Sequence, residues 1–417
     1  MRTVLLDSGP VAHLAIGDYS KPLCGAEMTS SELIDNSPNG FVIENGIFVK
    51  IGPTEEIESE FGREGSISLN GRAIVPGLID AHTHLLWGGD RSDEMSLRQQ
   101  GKSYQEIAKL GGGINYTVNA TRNLSVDNLF NKGKSRLSHS LRNGTTAIET
   151  KSGYGLDTET ELKLLEAANQ LKLYSDMEIS LTWLGAHNAP PNMDLNTYVE
   201  QIVSEQLPAV LDQGLATSAD VFCEDGWFTI EQTELICKDA LSNGMDIRLH
   251  VDEFSDCNGL ALAAELGAKT ADHALHSSNE NREMANNAGT IQGFLPGTPY
   301  VHGSNDWPPI QECIENEYAW SLATDFNPNC KSLSLPMVGS MVTHRLNINP
   351  IAALVAVTRN PATTMKRADE RAHGIIAEGA SANLNILRGT KIEGWCQTPG
   401  DTPFASTICN GEMYNHE

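Results

Sequence analysis

Two histidines separated by one residue form the part of the sequence with the clearest potential for chemistry. His82 and His84 follow an apolar run that begins at Val75 and ends at Asp80. Alternate side chains of a β-strand share one face, so two histidines at the end of a strand can point at one ion. Imidazole nitrogen is a common ligand of zinc, iron and similar metals. By itself the pair fits either a metal site or two unrelated surface or packing residues.

Composition limits the fold and the classes of partner. The 417 residues exceed the usual single core and predict one large domain with an accessory domain. A formal net charge of −25, with no Lys/Arg-rich run, argues against nucleic acid, because polyphosphate would be repelled. Eight scattered cysteines without CxxC spacing fit reduced thiols. No apolar run has the length of a signal peptide or a membrane span, so we expect a cytoplasmic protein without membrane contact.

Short β segments broken by turns occupy both ends of the chain. Near the N-terminus, Asn45-Gly46 separates two apolar runs, a strong hairpin signal because both residues tolerate positive φ. Similar short β segments bounded by turns recur only in residues 382–387 and 405–411. We therefore predict a small discontinuous β-sandwich domain, built by residues 1–72 and 376–417, that clamps the intervening chain.

Apolar segments of strand length alternate with helical stretches between these ends, which is the pattern of a parallel sheet with crossover helices. Predicted strands cover residues 73–80, 145–150, 178–184, 219–222, 246–249, 270–274, 290–295 and 320–323. Helices are predicted between most of them, including residues 158–173, 230–243 and 259–266. Residues 73–375 thus fit an α/β fold, a (β/α)8 barrel, whose chemistry lies at the C-terminal ends of its strands.

Polar side chains follow most of the predicted strands at that end. Six of the twelve histidines lie at or just beyond a strand end, namely His82, His84, His187, His250, His273 and His276. Other residues in such positions are Lys151, Tyr154, Glu224, Glu253, Asp325 and Asn327. This clustering favours a metal site over unrelated histidines.

A hydrolytic metal needs a few protein ligands and an open position for water, whose pKa the ion lowers. His82, His84 and His250 can supply three nitrogens, and Asp325 a carboxylate that also accepts a proton from the water. Glu253 fits a proton shuttle or a solvated loop acid. His273 fits a hydrogen-bond donor to a developing oxyanion or a structural histidine.

Longer motifs give the sequence a family resemblance. They are IDAHTHLLWGGDR at 79–91, RQQGKSY at 98–104, GGGI at 111–114, KSGYGL at 151–156, HVDE at 250–253 and TDFNP at 324–328. Together with the single histidines at the fifth and sixth strands, they resemble the imidazolonepropionase family of the amidohydrolase superfamily. The resemblance spans about residues 73–380, and the number and order of the motifs make it specific.

The resemblance implies hydrolysis of 4-imidazolone-5-propanoate to N-formimidoyl-L-glutamate in histidine degradation, by a metal-activated water. It implies one zinc or iron ion, bound by His82, His84, His250 and Asp325. The implied substrate contacts are Arg91, Tyr154, His187 and Glu253, with Asn327 and the following loop holding the product. Glu253, His273 and Asp325 would share the proton transfers, in a division that the sequence leaves open.

Three residue positions need separate comment. The planar fork of Arg91 suits the carboxylate of a propionate, although an ion pair with Asp90 or Asp93 is an alternative. Tyr154 fits a substrate contact or packing at the barrel rim. In two-metal relatives a lysine near Lys151 can be carboxylated to bridge the ions, but the surrounding motif favours a non-bridging lysine and one metal.

One motif departs from the family pattern. Where the family tends to have Asn-Pro-Gly and a small hydroxyl residue, this chain has Asn327-Pro328-Asn329-Cys330. Asn329 tolerates a left-handed backbone better than most residues, so we expect the turn to survive. Cys330 is a weaker hydrogen-bond donor than a hydroxyl, which puts its substrate contact in question.

Two alternatives and three further expectations complete the interpretation. The alternatives are another cyclic-amide hydrolase or ring deaminase of the superfamily, and a binding scaffold without catalytic activity. Residues 90–134, with their glycine triplet, fit a lid over the site or an ordinary loop. The commonness of two-fold assemblies favours a homodimer, and a small-molecule substrate with a carboxylate is the expected ligand.

Overall fold

A computed structural model describes residues 2–102, 104–190, 193–366 and 371–416, so Ser103 of the motif at 98–104 lies outside it. Its centre is an eight-stranded, all-parallel sheet. We number its strands β1 (Leu78–Asp80), β2 (Thr145–Lys151), β3 (Glu178–Ala186), β4 (Ser218–Cys223), β5 (Asp246–Val251), β6 (Thr270–His273), β7 (Ile291–Phe294) and β8 (Trp320–Leu322). Their spatial order follows the chain order, which confirms the (β/α)8 prediction.

Helices connect and surround these strands. Their bounds are Thr54–Phe61, Glu94–Gln99, Tyr104–Lys109, Gly113–Arg122, Val126–Arg142, Thr158–Tyr174, Leu195–Gln201, Leu207–Gln213, Ile230–Ser242, Gly259–Glu265, Asn279–Ala288, Gly297–His302, Ile310–Glu315, Leu335–Leu346, Pro350–Ala356 and Arg359–Ala362. The helix from Thr158 begins where predicted because the side chain of Asp157 caps it, accepting a hydrogen bond from the Thr160 amide at 2.7 Å. Within the described ranges, no helix combines the length and the apolar character needed to cross a membrane.

The seam between β1 and β8 is closed by residues that follow the two strands. The carboxylate of Asp80 accepts hydrogen bonds from the Thr324 amide (3.0 Å) and hydroxyl (2.7 Å). Beyond them, the Asp325 amide donates to the His82 carbonyl at 3.2 Å, and the His84 amide to the Phe326 carbonyl at 2.8 Å. The seam therefore places the first two histidines beside Asp325, although more than 200 residues separate them in sequence.

Two smaller sheets are built from the ends of the chain. One contains Arg2–Leu6, Asn39–Glu44, Ile47–Pro53 and Ile67–Ser68, and the other Val11–Ala12, Ile34–Asp35, Ile74–Pro76, Leu384–Leu387, Phe404–Cys409 and Glu412–Asn415. The predicted hairpin at Asn45-Gly46 is confirmed, because both residues have positive φ (50° and 74°) and Glu44 pairs with Ile47. The domain boundaries at residues 72 and 376 stay a prediction.

The predicted first strand, residues 73–80, is divided at Gly77. Ile74–Pro76 pairs with Leu384–Leu387 in a terminal sheet, whereas β1 pairs with β2 in the barrel. A Cβ atom on Gly77 would lie 2.2 Å from the Thr146 hydroxyl and 2.9 Å from the Asn383 Cβ. Only glycine therefore lets the chain pass from one sheet to the other five residues before His82.

Substitution of Gly77 tests this close approach. We expect Gly77→Ala to destabilise the fold by about 1–3 kcal/mol, because the added methyl group overlaps buried atoms. The measurement is the free energy of unfolding in urea. Gly389→Ala is the matched control, since a Cβ there meets no atom within 4 Å. Equal stability of the two variants would contradict the crossing as described.

Candidate active site

Three histidines meet at the C-terminal ends of β1 and β5. His82 and His84 follow β1, and His250 lies within β5, one residue before its end. Their rings are buried, and one nitrogen of each lies within 4.8 Å of the others. Ligands that bind one ion tetrahedrally at about 2.1 Å lie roughly 3–4 Å apart, so the cluster needs only a small adjustment to coordinate one.

The hydrogen bonding of these rings leaves nitrogens for an ion. Nε2 of His82 and Nε2 of His250 are buried and have no hydrogen-bond partner in the described part of the chain. Burial lowers the pKa values of His82 and His84 well below the usual range, so these rings are neutral at pH 7. A buried nitrogen lone pair without a partner destabilises a folded protein, and a bound metal ion would satisfy it. The unpartnered nitrogens therefore fit a set of metal ligands.

Two carboxylates orient two of the histidines from below. Nδ1 of His82 lies 2.7 Å from Asp272, and Nδ1 of His250 lies 3.0 Å from Asp220. A hydrogen bond at Nδ1 fixes the tautomer that presents Nε2 to an ion. Neither carboxylate was predicted from the sequence. The available signal was an acidic residue inside a buried strand.

Lys151 ties these carboxylates together. Its ammonium, which is fully buried, lies 2.8 Å from Asp220, 3.0 Å from Glu149 and 4.0 Å from Asp272. Burial favours the neutral amine, but the surrounding carboxylates outweigh burial and raise the pKa of Lys151. For Asp220, burial alone would raise the pKa, but His250 and Lys151 outweigh burial and hold this pKa far below its usual range. Lys151 is thus a charged, ion-paired residue, which agrees with a non-bridging role.

Asp325 lies directly against the histidine pair. Its Oδ1 is 3.7 Å from Nε2 of both His82 and His84, and its Oδ2 accepts a hydrogen bond from Thr298 at 2.6 Å. The backbone of Asp325 has φ 48°, and His273 has φ 68°. Non-glycine residues rarely adopt this left-handed conformation, and such strain concentrates at functional sites.

Glu253 and His273 form the far side of the same cluster. Their side chains lie 3.6 Å apart, between Oε2 and Nε2, and both are buried to about 90% or more. Burial, followed by the nearby charges of Asp325 and Glu224, raises the pKa of Glu253 well above its usual value. Glu224, another predicted strand-end residue, accepts hydrogen bonds from the amides of Glu253, Phe254 and Ser255 and so holds the loop after β5.

A cavity of about 910 Å³ lies above the histidines. Ten of the twelve predicted site residues line it: His84, Arg91, Tyr154, His187, His250, Glu253, His273, Asp325, Asn327 and Asn329. The ring of His187 stacks on that of His84 at 5.2 Å and contacts Tyr154. Burial lowers the pKa of His187 to about 4, so the ring is neutral. Its Nδ1 donates to the Gly153 carbonyl at 2.8 Å, which leaves Nε2 as a hydrogen-bond acceptor toward a ligand.

Arg91 lies in the cavity wall but does not pair with Asp90 or Asp93, the partners considered from sequence. Its Nε and Nη2 each donate to Glu94 at 2.8 Å, and both side chains are more than 90% buried. Arg98 and Lys102, from the same segment, also line the cavity. Three cationic side chains from one segment therefore line a cavity in a strongly acidic protein, which favours an anionic ligand. Whether residues 90–134 act as a lid stays a prediction.

The turn at residues 327–330 is built differently from the expectation. Asn329 does not have a positive φ; the amides of Asn329 and Cys330 donate to the side-chain oxygen of Asn327 at 2.7 and 2.9 Å. This side-chain turn needs no left-handed residue. Cys330 lies behind the wall, with its thiol 3.8 Å from the Thr324 carbonyl. His82 and Cys330 are the two predicted site residues that do not line the cavity.

The chain is similar to known proteins over most of its length. The chain is 39% identical over 392 residues to an imidazolonepropionase of Shewanella loihica, covering 91% of this chain and 95% of that one. It is 35% identical over 369 residues to an imidazolonepropionase of Haloarcula marismortui, covering 88% and 87%. A comparison with protein-family models found no match.

Solved structures agree in fold. A 5-methylcytosine deaminase of Klebsiella pneumoniae superposes with a TM-score of 0.74 at 15% identity, covering 100% of this chain and 98% of that one. An adenosine deaminase of Xanthomonas campestris, with bound zinc, gives a TM-score of 0.69 at 14% identity, covering 100% and 93%. At such low identity these likenesses establish the barrel architecture and no more.

The buried carboxylates make a testable prediction for metal binding. Asp220→Asn should weaken metal affinity about 10–100-fold, because it removes the charge that orients His250 and pairs with Lys151. Affinity is measured by competition with a chelator. Glu149→Gln is the matched control, since Glu149 pairs with Lys151 and, in the described part of the chain, forms no hydrogen bond or ion pair with the three histidines. Equal losses in both variants would show that only the charge around Lys151 matters.

Proposed function

The chain belongs to the imidazolonepropionase family of the amidohydrolase superfamily, and we propose that it hydrolyses 4-imidazolone-5-propanoate to N-formimidoyl-L-glutamate. The reaction opens a cyclic amide: water adds to the ring carbonyl, and the bond from that carbon to the ring nitrogen breaks. The observation that carries the proposal is that two of the three clustered histidines, His84 and His250, line the same cavity as the buried Arg91. One end of this cavity suits a hydrolytic metal, and the other suits a carboxylate.

His82, His84 and His250, with Asp325 as a fourth ligand, are the residues that would hold one metal ion. The unpartnered nitrogens and the adjacent carboxylate fit this role. When bound, the ion supplies Lewis-acid activation of water and of the ring carbonyl. Three imidazoles and a carboxylate suit zinc and iron alike, and we propose one of these two.

The substrate would lie between the metal ligands and Arg91. The guanidinium of Arg91 would bind the propionate, and Tyr154 and His187 would contact the ring from the β2 and β3 side of the cavity. Asn327 and Asn329, which follow β8, also line the cavity and would hold the polar groups of the product. The thiol of Cys330 faces away from the cavity, so any contribution from Cys330 would come through the turn it helps to form.

Proton transfer would use the two carboxyl groups that face the reacting ring. Asp325 lies beside the histidines and would take a proton from the attacking water. Glu253 lies across the cavity and would deliver a proton to the leaving ring nitrogen. The side chain of His273, 3.6 Å from Glu253, would donate a hydrogen bond to the developing oxyanion.

Removing the acid at position 325 tests the chemical part of the proposal. Asp325→Asn should lower kcat by at least about 1,000-fold, since it removes a base and a charged ligand, while the fold stays intact. The assay follows the decay of the ultraviolet absorbance of imidazolone propionate, with a chelator-treated wild-type sample as control. Full turnover by a metal-loaded variant would exclude Asp325 from the reaction.

Arg91 separates the proposal from the nearest alternative, another cyclic-amide hydrolase or a ring deaminase. Arg91→Ala should raise KM for imidazolone propionate about 10–100-fold, because a charge-assisted pair with the propionate is lost. A neutral heterocycle needs no such cation. An unchanged KM, in a variant with normal thermal stability and metal content, would favour the alternative.

A further inference from the structure

Glu94 is a buried acid that no step of the proposed reaction uses. It is 5% exposed, and each of its carboxylate oxygens accepts more than one hydrogen bond. Oε1 accepts from Nε of Arg91 at 2.8 Å and from the Gly113 amide at 2.7 Å. Oε2 accepts from Nη2 of Arg91 at 2.8 Å and lies 3.4 Å from Nη2 of Arg98. Burial would raise the pKa of Glu94, but Arg91 and the Gly113 amide outweigh burial and lower it.

An acid next to a carboxylate-binding cation at first looks unfavourable, because it repels the substrate and neutralises part of the cation. The geometry provides a reason for it. A guanidinium has two usable edges, and Glu94 occupies the edge formed by Nε and Nη2. Fixing this edge holds the guanidinium in the wall of the cavity, so that fewer conformations of a long side chain are lost when a ligand binds.

The glycine triplet at 111–113 allows this arrangement. A Cβ atom on Gly112 would lie 2.9 Å from Oε1 of Glu94 and 2.8 Å from Ile107. The amide of Gly113 belongs to the first turn of the helix Gly113–Arg122, where an anion is favoured by the unpaired amides. Glu94 is therefore held from two sides, by a helix N-terminus and by Arg91.

We propose that Glu94 is the positioning residue for Arg91, whose guanidinium it holds in the cavity wall so that the substrate carboxylate meets a preoriented cation. This inference rests on the proposed function, in which Arg91 binds the propionate. It assigns a role to the triplet as well, because the triplet brings the Gly113 amide to Glu94.

The first test replaces the acid with its amide. In Glu94→Gln, either orientation of the amide places an NH2 group against N–H donors, since both oxygens of Glu94 accept hydrogen bonds. We expect KM for imidazolone propionate to rise about tenfold while kcat stays within about twofold. Glu94→Asp keeps the acid with a shorter reach and should give an intermediate KM. It also serves as the test variant if Glu94→Gln fails to fold.

The matched control is Asp90→Asn, the corresponding acid-to-amide change four residues earlier, at an exposed acid that pairs with Lys331. Its KM should equal that of the wild type. An unchanged or lower KM in both Glu94 variants would overturn the proposal.

A double-mutant cycle separates positioning from general disruption. If Glu94 acts through Arg91, the KM of Arg91→Ala/Glu94→Gln should be no higher than that of Arg91→Ala alone. A second readout uses a 4-imidazolone that carries an ethyl group in place of the propanoate, for which Glu94→Gln should have no effect on kcat/KM. Additive losses in the cycle, or equal losses with the ethyl compound, would assign Glu94 a purely structural role and overturn the inference.

The two proposals fail in different ways. If Arg91→Ala leaves KM unchanged, the substrate assignment is wrong and the role of Glu94 falls with it. If Arg91→Ala raises KM but Glu94→Gln does not, the substrate assignment stands and only the positioning role is overturned.

Discussion

The ammonium of Lys151, buried among Glu149, Asp220 and Asp272, is the interaction on which the metal end of the site depends. Three carboxylates this close would repel one another without a cation between them. Two of them hold the Nδ1 atoms of His82 and His250, so the same charge cluster sets the direction of two of the three imidazoles. Such a cluster contributes little net stability when complete, but the loss of one member leaves a buried charge unpaired. Its value lies in the geometry it enforces.

The seam between β1 and β8 also fixes the geometry of the site, but it does so through hydrogen bonds rather than ion pairs. Asp80 is buried and accepts two hydrogen bonds from Thr324, and the residues that follow both strands pair across the gap. Burial raises the pKa of Asp80 to about 7. The barrel is thus closed by polar contacts at the level of the metal ligands rather than by strand pairing below them. The same contacts that close the barrel also bring His82, His84 and Asp325 together.

The sequence predicts a large part of this arrangement because the barrel converts a position along a strand into a position in space. Histidines at the ends of apolar segments had to converge once the segments were recognised as parallel strands. Asp220 and Asp272 were missed because they lie within strands, where the pattern suggests a packing residue, and their partners are far away in sequence. Glu94 was missed because one of its partners, the Gly113 amide, depends on where a second helix begins.

The turn at 327–330 and the first strand show the limits of motif and pattern. The motif predicted a left-handed residue at position 329, but the side chain of Asn327 supplies the bonds of the turn instead. The apolar run at 73–80 predicts a single strand, because the residues on both sides of Gly77 are buried and show the same hydrophobic pattern. A hydrophobic pattern predicts that a residue is buried, but it does not predict which sheet the residue belongs to.

The crossing at Gly77 also relates the end of the chain to its centre. Ile74–Pro76 pairs with Leu384–Leu387, and β1 and the two histidines follow immediately. The segment that leads into two of the proposed metal ligands is therefore held by a strand that follows it by more than 300 residues, so the metal end of the site is tied to a contact between distant parts of the chain.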